Sequence, residues 1–291
     1  MDYRRLIKHI VPVAVVIVLV IFMATSLCSG EERKLISENT RAVSLYEEGL
    51  RLVDEEKFDQ AIERFRQAIR LDPQFLRAHF RYIDVSRAVG RVEEIIEEYR
   101  KKAELNPQSA QDLYLYGRTL EDLDQKRRQY RAALEADPKF YWAQYGIGGT
   151  YLVQRRYDEA IVALNKTLEM NPKMVEAIHL IGTVYLERGM LIQARERLEE
   201  AAAIDNTNHM IYLSLGQVYS QLNQFETAEK SFRRAAVLSP KYPMSYYYIG
   251  LVCEMQNKSE QAVVAYETFL RLAPDHELAS LVTKNIKKLK E

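Results

Sequence analysis

The chain has 291 residues, with 41 basic and 41 acidic side chains and a formal net charge of zero. A balance of this kind leaves no electrostatic footprint for nucleic acid. The two cysteines, Cys28 and Cys253, are too few for a disulfide framework and offer no metal site.

In chain order, residues 1–9 form a short tail carrying Arg4, Arg5 and Lys8, and no charged side chain occurs from Ile10 to Gly30. Residues 10–28 would span roughly 28 Å as a helix, close to the hydrocarbon thickness of a bilayer. Ten Val, Ile, Leu and Phe residues between Val11 and Phe22 favour insertion by several kcal/mol. The segment is expected to be a transmembrane signal anchor with its basic tail in the cytoplasm and the rest of the chain exported. Two other readings stay open. In one, the segment is a secretory signal cleaved after the small residues Ala24 and Ser26. In the other it is a lipoprotein signal with Cys28 lipidated, although Leu27 and Thr25 depart from the usual residues before such a cysteine. Residues 29–41 make a polar linker in which Ser37, Asn39 and Thr40 are candidate caps for the first following helix.

From residue 42 the chain repeats itself. Gly148, Gly182, Gly216 and Gly250 are spaced 34 residues apart, with Tyr151, Tyr185 and Tyr219 three residues after the first three. Ala160, Ala194, Ala228 and Ala262 follow at the same period. Within a unit the apolar positions, such as Ile147 and Tyr151 and then Ile161, Leu164 and Leu168, mark two amphipathic helices. Small residues at Gly148 and Ala160 let the two backbones approach. Asp158 and Glu159 suit the positive end of the second helix, and Asn171-Pro172 terminates it. One such hairpin cannot bury its own apolar face, so neighbours must stack. Seven copies are placed at 42–75, 76–109, 110–140, 141–174, 175–208, 209–242 and 243–276. The second copy has Ile83 and Ile95 in place of the small pair, and the third, which keeps Gly117 and Pro138, is three residues short. Residues 277–291 are predicted to be a capping helix, with Leu278, Leu281, Val282, Ile286 and Leu289 on one face and lysines on the rest.

The Gly, Tyr, Ala and Pro marks at this period resemble those of the tetratricopeptide repeat (TPR) family. The resemblance implies an all-α fold: a right-handed superhelical solenoid of about seven helix-turn-helix repeats and a capping helix, here preceded by one transmembrane helix. It also implies a concave groove, formed by the first helix of each repeat, in which a protein or peptide ligand lies. By position, that groove presents Trp142, Tyr145 and Leu152 in the fourth copy, Met210 and Leu213 in the sixth, and Met244, Tyr247 and Leu251 in the seventh. Copies two and three present Arg77, Phe80, Arg87, Tyr114 and Arg118, with Asp84, Glu121 and Asp122 among the arginines. An aromatic and Met stripe suits an amphipathic helix or an extended peptide. The Lys and Asn with which chaperone-binding members hold a C-terminal carboxylate are missing, since the first copy has Tyr46 and Leu50 at those places.

Catalytic patterns are thin. His79, His179, His209 and His276 lie in different copies without metal-ligand spacing, and Gly146, Gly148 and Gly149 fall in mid-helix rather than after a strand. Cys253 occupies a core position. The sequence therefore points to a membrane-anchored, non-catalytic scaffold or adaptor for protein–protein interactions in the cell envelope, with no cofactor and no metal. It would be a single-pass protein of a bacterial inner membrane, its repeats in the periplasm and capable of self-association. The alternative is a TPR lipoprotein assisting pilus or outer-membrane assembly.

Overall fold

The computed structural model describes residues 37–290. All fifteen regular elements among them are α-helices. Fourteen form hairpins: α1 (Thr40–Asp54) with α2 (Phe58–Leu71), α3 (Leu76–Ala88) with α4 (Val92–Leu105), α5 (Ala110–Thr119) with α6 (Leu123–Ala136), α7 (Tyr141–Val153) with α8 (Tyr157–Met170), α9 (Val175–Glu187) with α10 (Leu191–Ile204), α11 (His209–Gln221) with α12 (Phe225–Leu238), and α13 (Pro243–Met255) with α14 (Ser259–Leu272). The last helix is α15 (Ala279–Lys290), packed on α14. The transmembrane helix expected over residues 10–28 lies outside the described residues, and no described helix is long and apolar enough to cross a membrane.

The chain divides into two compact units, one ending at Ala177 and the other starting at Ile178. Each is a stack in which consecutive helices touch, as α1 to α8 do in the first unit and α10 to α15 in the second. Aromatic side chains fill the seams. In the first hairpin the Tyr46 ring lies 5.8 Å from that of Phe65 and 5.0 Å from that of Phe75, and all three are buried. Side chains of this size contribute roughly 1.5–3 kcal/mol each on burial.

Six of the seven hairpins turn by one device. A single residue with positive φ follows the first helix: Glu56 at 60°, Gly90 at 82°, Arg155 at 57°, Gly189 at 73°, Asn223 at 60° and Asn257 at 57°. The next residue's N–H then reaches back to close the helix end, as Lys57 donates to the Leu52 carbonyl at 2.9 Å and Gln224 to that of Tyr219 at 2.8 Å. This left-handed cap satisfies carbonyls that the helix itself leaves open. Second helices end as the repeated prolines require, with Asp72, Asn106, Asp137 and Asn171 leaving helical geometry immediately before Pro73, Pro107, Pro138 and Pro172.

Helix crossings depend on residue size. A Cβ added at Gly216 would collide with the Phe232 ring, and one at Gly250 with the Tyr266 ring. Where the second hairpin has Ile83 and Ile95, both fully buried, the α3 and α4 backbones stand further apart than those of the other hairpins described.

The third hairpin departs from the rule. Its first helix, α5, has 10 residues where α7 has 13. After Thr119 the chain runs extended at Leu120, with φ −71° and ψ 154°. Asp122 then caps α6 by accepting from the Gln125 N–H at 2.7 Å. The three missing residues are thus the last turn of the first helix, and the three-residue link that follows takes no left-handed cap.

Candidate protein-interaction face

In the first unit the first helices α3, α5 and α7 carry the sequence-selected residues on one face. Near the helix starts, the Trp142 ring meets Phe80 edge-on at 5.2 Å and also contacts Tyr141 at 5.7 Å and Tyr145 at 5.9 Å. Phe80 and Trp142 belong to hairpins two and four, so this contact reaches past the short α5. Arg77 Nη2 lies 3.3 Å from Glu176 Oε1 at the start of α9, with both side chains largely covered. Further along, the Arg118 guanidinium sits 4.3 Å above the Phe80 ring centroid and donates from Nη2 to both Asp84 carboxylate oxygens at 3.2 Å. A planar guanidinium can stack and pair at once, which an ammonium cannot. At the far end, Arg87 Nη2 donates to Glu121 Oε1 at 3.3 Å. Its Nη1 donates to the Arg118 and Thr119 carbonyls at 3.4 and 3.3 Å. Those carbonyls belong to the open end of α5, so a side chain from the neighbouring hairpin supplies the cap that the shortened turn lost.

The apolar members of the face are held by packing. Trp142 and Tyr145 are each 9% exposed and Leu152 is 4% exposed. In the second unit Met210, Leu213, Met244 and Tyr247 are likewise buried. Tyr247 spends its ring on Tyr248, Tyr266 and Phe269, at 5.4, 6.4 and 5.7 Å. Beside Leu213, His179 Nε2 shares a hydrogen bond of 3.0 Å with Ser214 Oγ. The structure thus brings Arg77, Arg87, Arg118, Trp142 and Tyr145 into one array in the first unit. Met210, Leu213, Met244 and Tyr247 belong to the second. Of the three charged pairs described on this face, Arg87 and Glu121 are the most open, with 28% and 72% of their side chains accessible.

Sequence reasoning missed Lys126 and the pairing of Glu176 with Arg77. Lys126 stands on α6, and its ammonium is lowered to about 8 by burial and then by Arg87 and Arg118. The signal that pointed to it was the three-residue deficit of copy three, which places α6 against the end of α5. Among the described residues no three His, Cys, Asp or Glu side chains gather as a metal site. His79, buried between Tyr99 O–H at 2.7 Å and the Pro73 carbonyl at 2.9 Å, is a structural histidine. Burial depresses it to about 4.

A profile of the tetratricopeptide repeat family matches residues 46–110, 118–178 and 213–277, together more than half of the chain. A second profile, for anaphase-promoting complex, cyclosome, subunit 3, matches residues 153–235. No curated protein matches the sequence. Among solved structures, a tetratricopeptide repeat protein from Parabacteroides merdae is 17% identical, with a TM-score of 0.57 over 87% of this chain and 100% of its own. A thermophilic TPR protein of Thermus thermophilus is 20% identical, with a TM-score of 0.51 over 65% of this chain and 99% of its own. YrrB, described as a TPR protein with an unusual peptide-binding site, is 22% identical with a TM-score of 0.47 over 65% and 99%. At these identities the solved structures bear on the fold alone.

Proposed function

Because the chain belongs to the tetratricopeptide repeat family, whose members generally mediate protein–protein interactions, we propose that it is a non-catalytic scaffold docking protein segments on its first-helix face. Residues 10–28 anchor it in a bacterial inner membrane, with the repeats in the periplasm, where it serves assembly or organisation of the cell envelope. The observation that carries the docking reading is the open charged edge at Arg87 and Glu121, at the far end of the face that carries Phe80 and Trp142. Such an edge offers directional polar contacts to a docked segment, as the polar rim of a protein interface does.

Photocrosslinking tests the docking. A benzophenone side chain at Glu121, which is exposed, is expected to capture one dominant protein that the same probe at Val162, 57% exposed on α8, does not capture. Equal capture at both positions, or none at Glu121, overturns the reading. Orientation is tested separately by adding a protease that cannot cross the inner membrane to intact spheroplasts. Digestion of the repeats is required, and full protection would place them in the cytoplasm.

A further inference from the structure

Exposed apolar side chains of the first unit gather where second helices end. Leu71, Leu105 and Met170 are the last residues of α2, α4 and α8, and they are 43%, 80% and 37% exposed. Each is followed two residues on by an exposed proline, Pro73, Pro107 or Pro172. These helix ends share one edge. Gln111 Nε2, at the start of α5, donates to the Pro73 carbonyl at 2.6 Å. Arg77 and Glu176, which follow Leu71 and Met170 at the starts of α3 and α9, lie 3.3 Å apart. Asp72 and Asp137 turn their carboxylates back into their own loops, accepting from the Gln74 and Lys139 N–H groups at 3.0 and 2.9 Å. Lys139 and Lys173 on the same edge are exposed. The opposite edge, where the hairpins turn, is polar apart from Val89, with Glu56, Lys57, Glu121, Asp122, Arg155 and Arg156 exposed on it. The chain enters the first unit at the apolar edge, for Asn39, the cap of α1, donates from Nδ2 to the Leu71 carbonyl at 3.3 Å. The apolar run 10–28, outside the described residues, is separated from this entry by residues 29–36, a length that can reach no further than about 30 Å.

We propose that the edge carrying Leu71, Leu105 and Met170 rests on the surface of the bilayer that residues 10–28 enter. The proposal rests on the reading that those residues anchor the chain. Apolar side chains set at the boundary between headgroups and acyl chains leave water, and lysines beside them meet lipid phosphates. A tether this short holds the edge at an effective concentration of roughly mM, so contacts too weak for a free protein suffice. With this edge down, the hairpin turns point away from the membrane, and Glu121 among them stays open to a partner.

The test uses the full-length chain in vesicles of phosphatidylethanolamine and phosphatidylglycerol. Cys28→Ser leaves only Cys253, which is fully buried, so that one added cysteine takes a nitrobenzoxadiazole dye. On Leu105→Cys the dye is expected to shift to the blue and to be quenched by lipids brominated in the acyl chain. On Val162→Cys and Glu121→Cys, exposed sites away from the edge, it should do neither. Leu71→Gln with Met170→Gln should reduce the quenching at Leu105→Cys while the protein stays folded by circular dichroism, since both side chains are exposed. Equal quenching at Leu105→Cys and Val162→Cys, or none at Leu105→Cys in protein that floats with the vesicles in alkaline carbonate, overturns the proposal and leaves the anchor standing. A blue shift that brominated lipid does not quench also overturns it, because a second copy of the chain then covers the edge. Failure to float removes the anchor and the proposal with it.

Discussion

Hairpins three and six reach the same packed pair of helices by different means. In hairpin six, α11 runs for 13 residues and closes itself: Asn223 takes the left-handed conformation, and the Gln224 N–H returns to the Tyr219 carbonyl. In hairpin three, α5 stops after 10 residues, and its last carbonyls are held by Arg87 of another hairpin. One ends on its own backbone, the other on a neighbour's side chain. The difference teaches that a deletion inside a repeat need not unsettle the stack, provided an adjacent helix can reach the exposed helix end. It also concentrates charge where a regular hairpin would put only backbone.

The largest effect is expected from Trp142→Ala, which removes the contact with Phe80 that passes over hairpin three. It should cost about 3–5 kcal/mol in chemical denaturation. A loss below about 1 kcal/mol would mean that the short hairpin is not held from both sides.

Acid treats hairpins two and five alike and so sharpens the contrast with hairpin three. His79 and His179 are both depressed to about 4 by burial, His179 further by His209. Below the ordinary value of 6.5 the unfolded chain takes up protons that the fold refuses, so stability is lost as pH falls from 6.5 toward 4. The loss should be roughly 2–3 kcal/mol per buried histidine and should vanish for His79 in a His79→Gln variant. Lys126 works at the other end of the scale. Its folded value near 8 lies below the ordinary 10.5, so its share of stability rises as pH climbs through that interval. Lys126→Ala should flatten that rise.

Arg87→Met is expected to cost about 1–2 kcal/mol, since it strips charged donors from two carbonyls and a carboxylate. Hydrogen exchange should quicken at the end of α5 and stay unchanged at the end of α11. Equal change at both ends would show that Arg87 does not cap α5 specifically. The smallest effect is a gain. Arg155→Gly, at a residue with φ of 57°, should stabilise by about 0.5–1 kcal/mol. Gln125→Gly, inside α6 of hairpin three, should instead lose a similar amount, because no left-handed position exists there.

The helices were legible because their marks are physical necessities. Gly148 packs under Leu164, and Asn171-Pro172 ends α8 where the sequence says it must. The left-handed turns were not legible, since Glu56 and Arg155 occupy positions where a glycine would have announced them. The shortness of copy three could be read, but not which residues had gone. Only the packing shows that a turn of α5 was lost and that Arg87 caps the end that remains. The groove positions of Trp142 and Tyr145 follow from repeat geometry. That Phe80 would meet Trp142, with Arg118 stacked on Phe80, depends on contacts between hairpins that no single repeat encodes.

The ion pair between Arg77 and Glu176 joins residues 99 positions apart. Hairpin stacks assemble quickly because almost every contact is local in sequence. This pair, with Phe80 on Trp142, makes the first unit an exception: its closing contacts form only after the chain through α9 has been made. A nascent chain halted before Glu176 lacks that closure, so shortening this array by a repeat should change the order in which it assembles as well as its length.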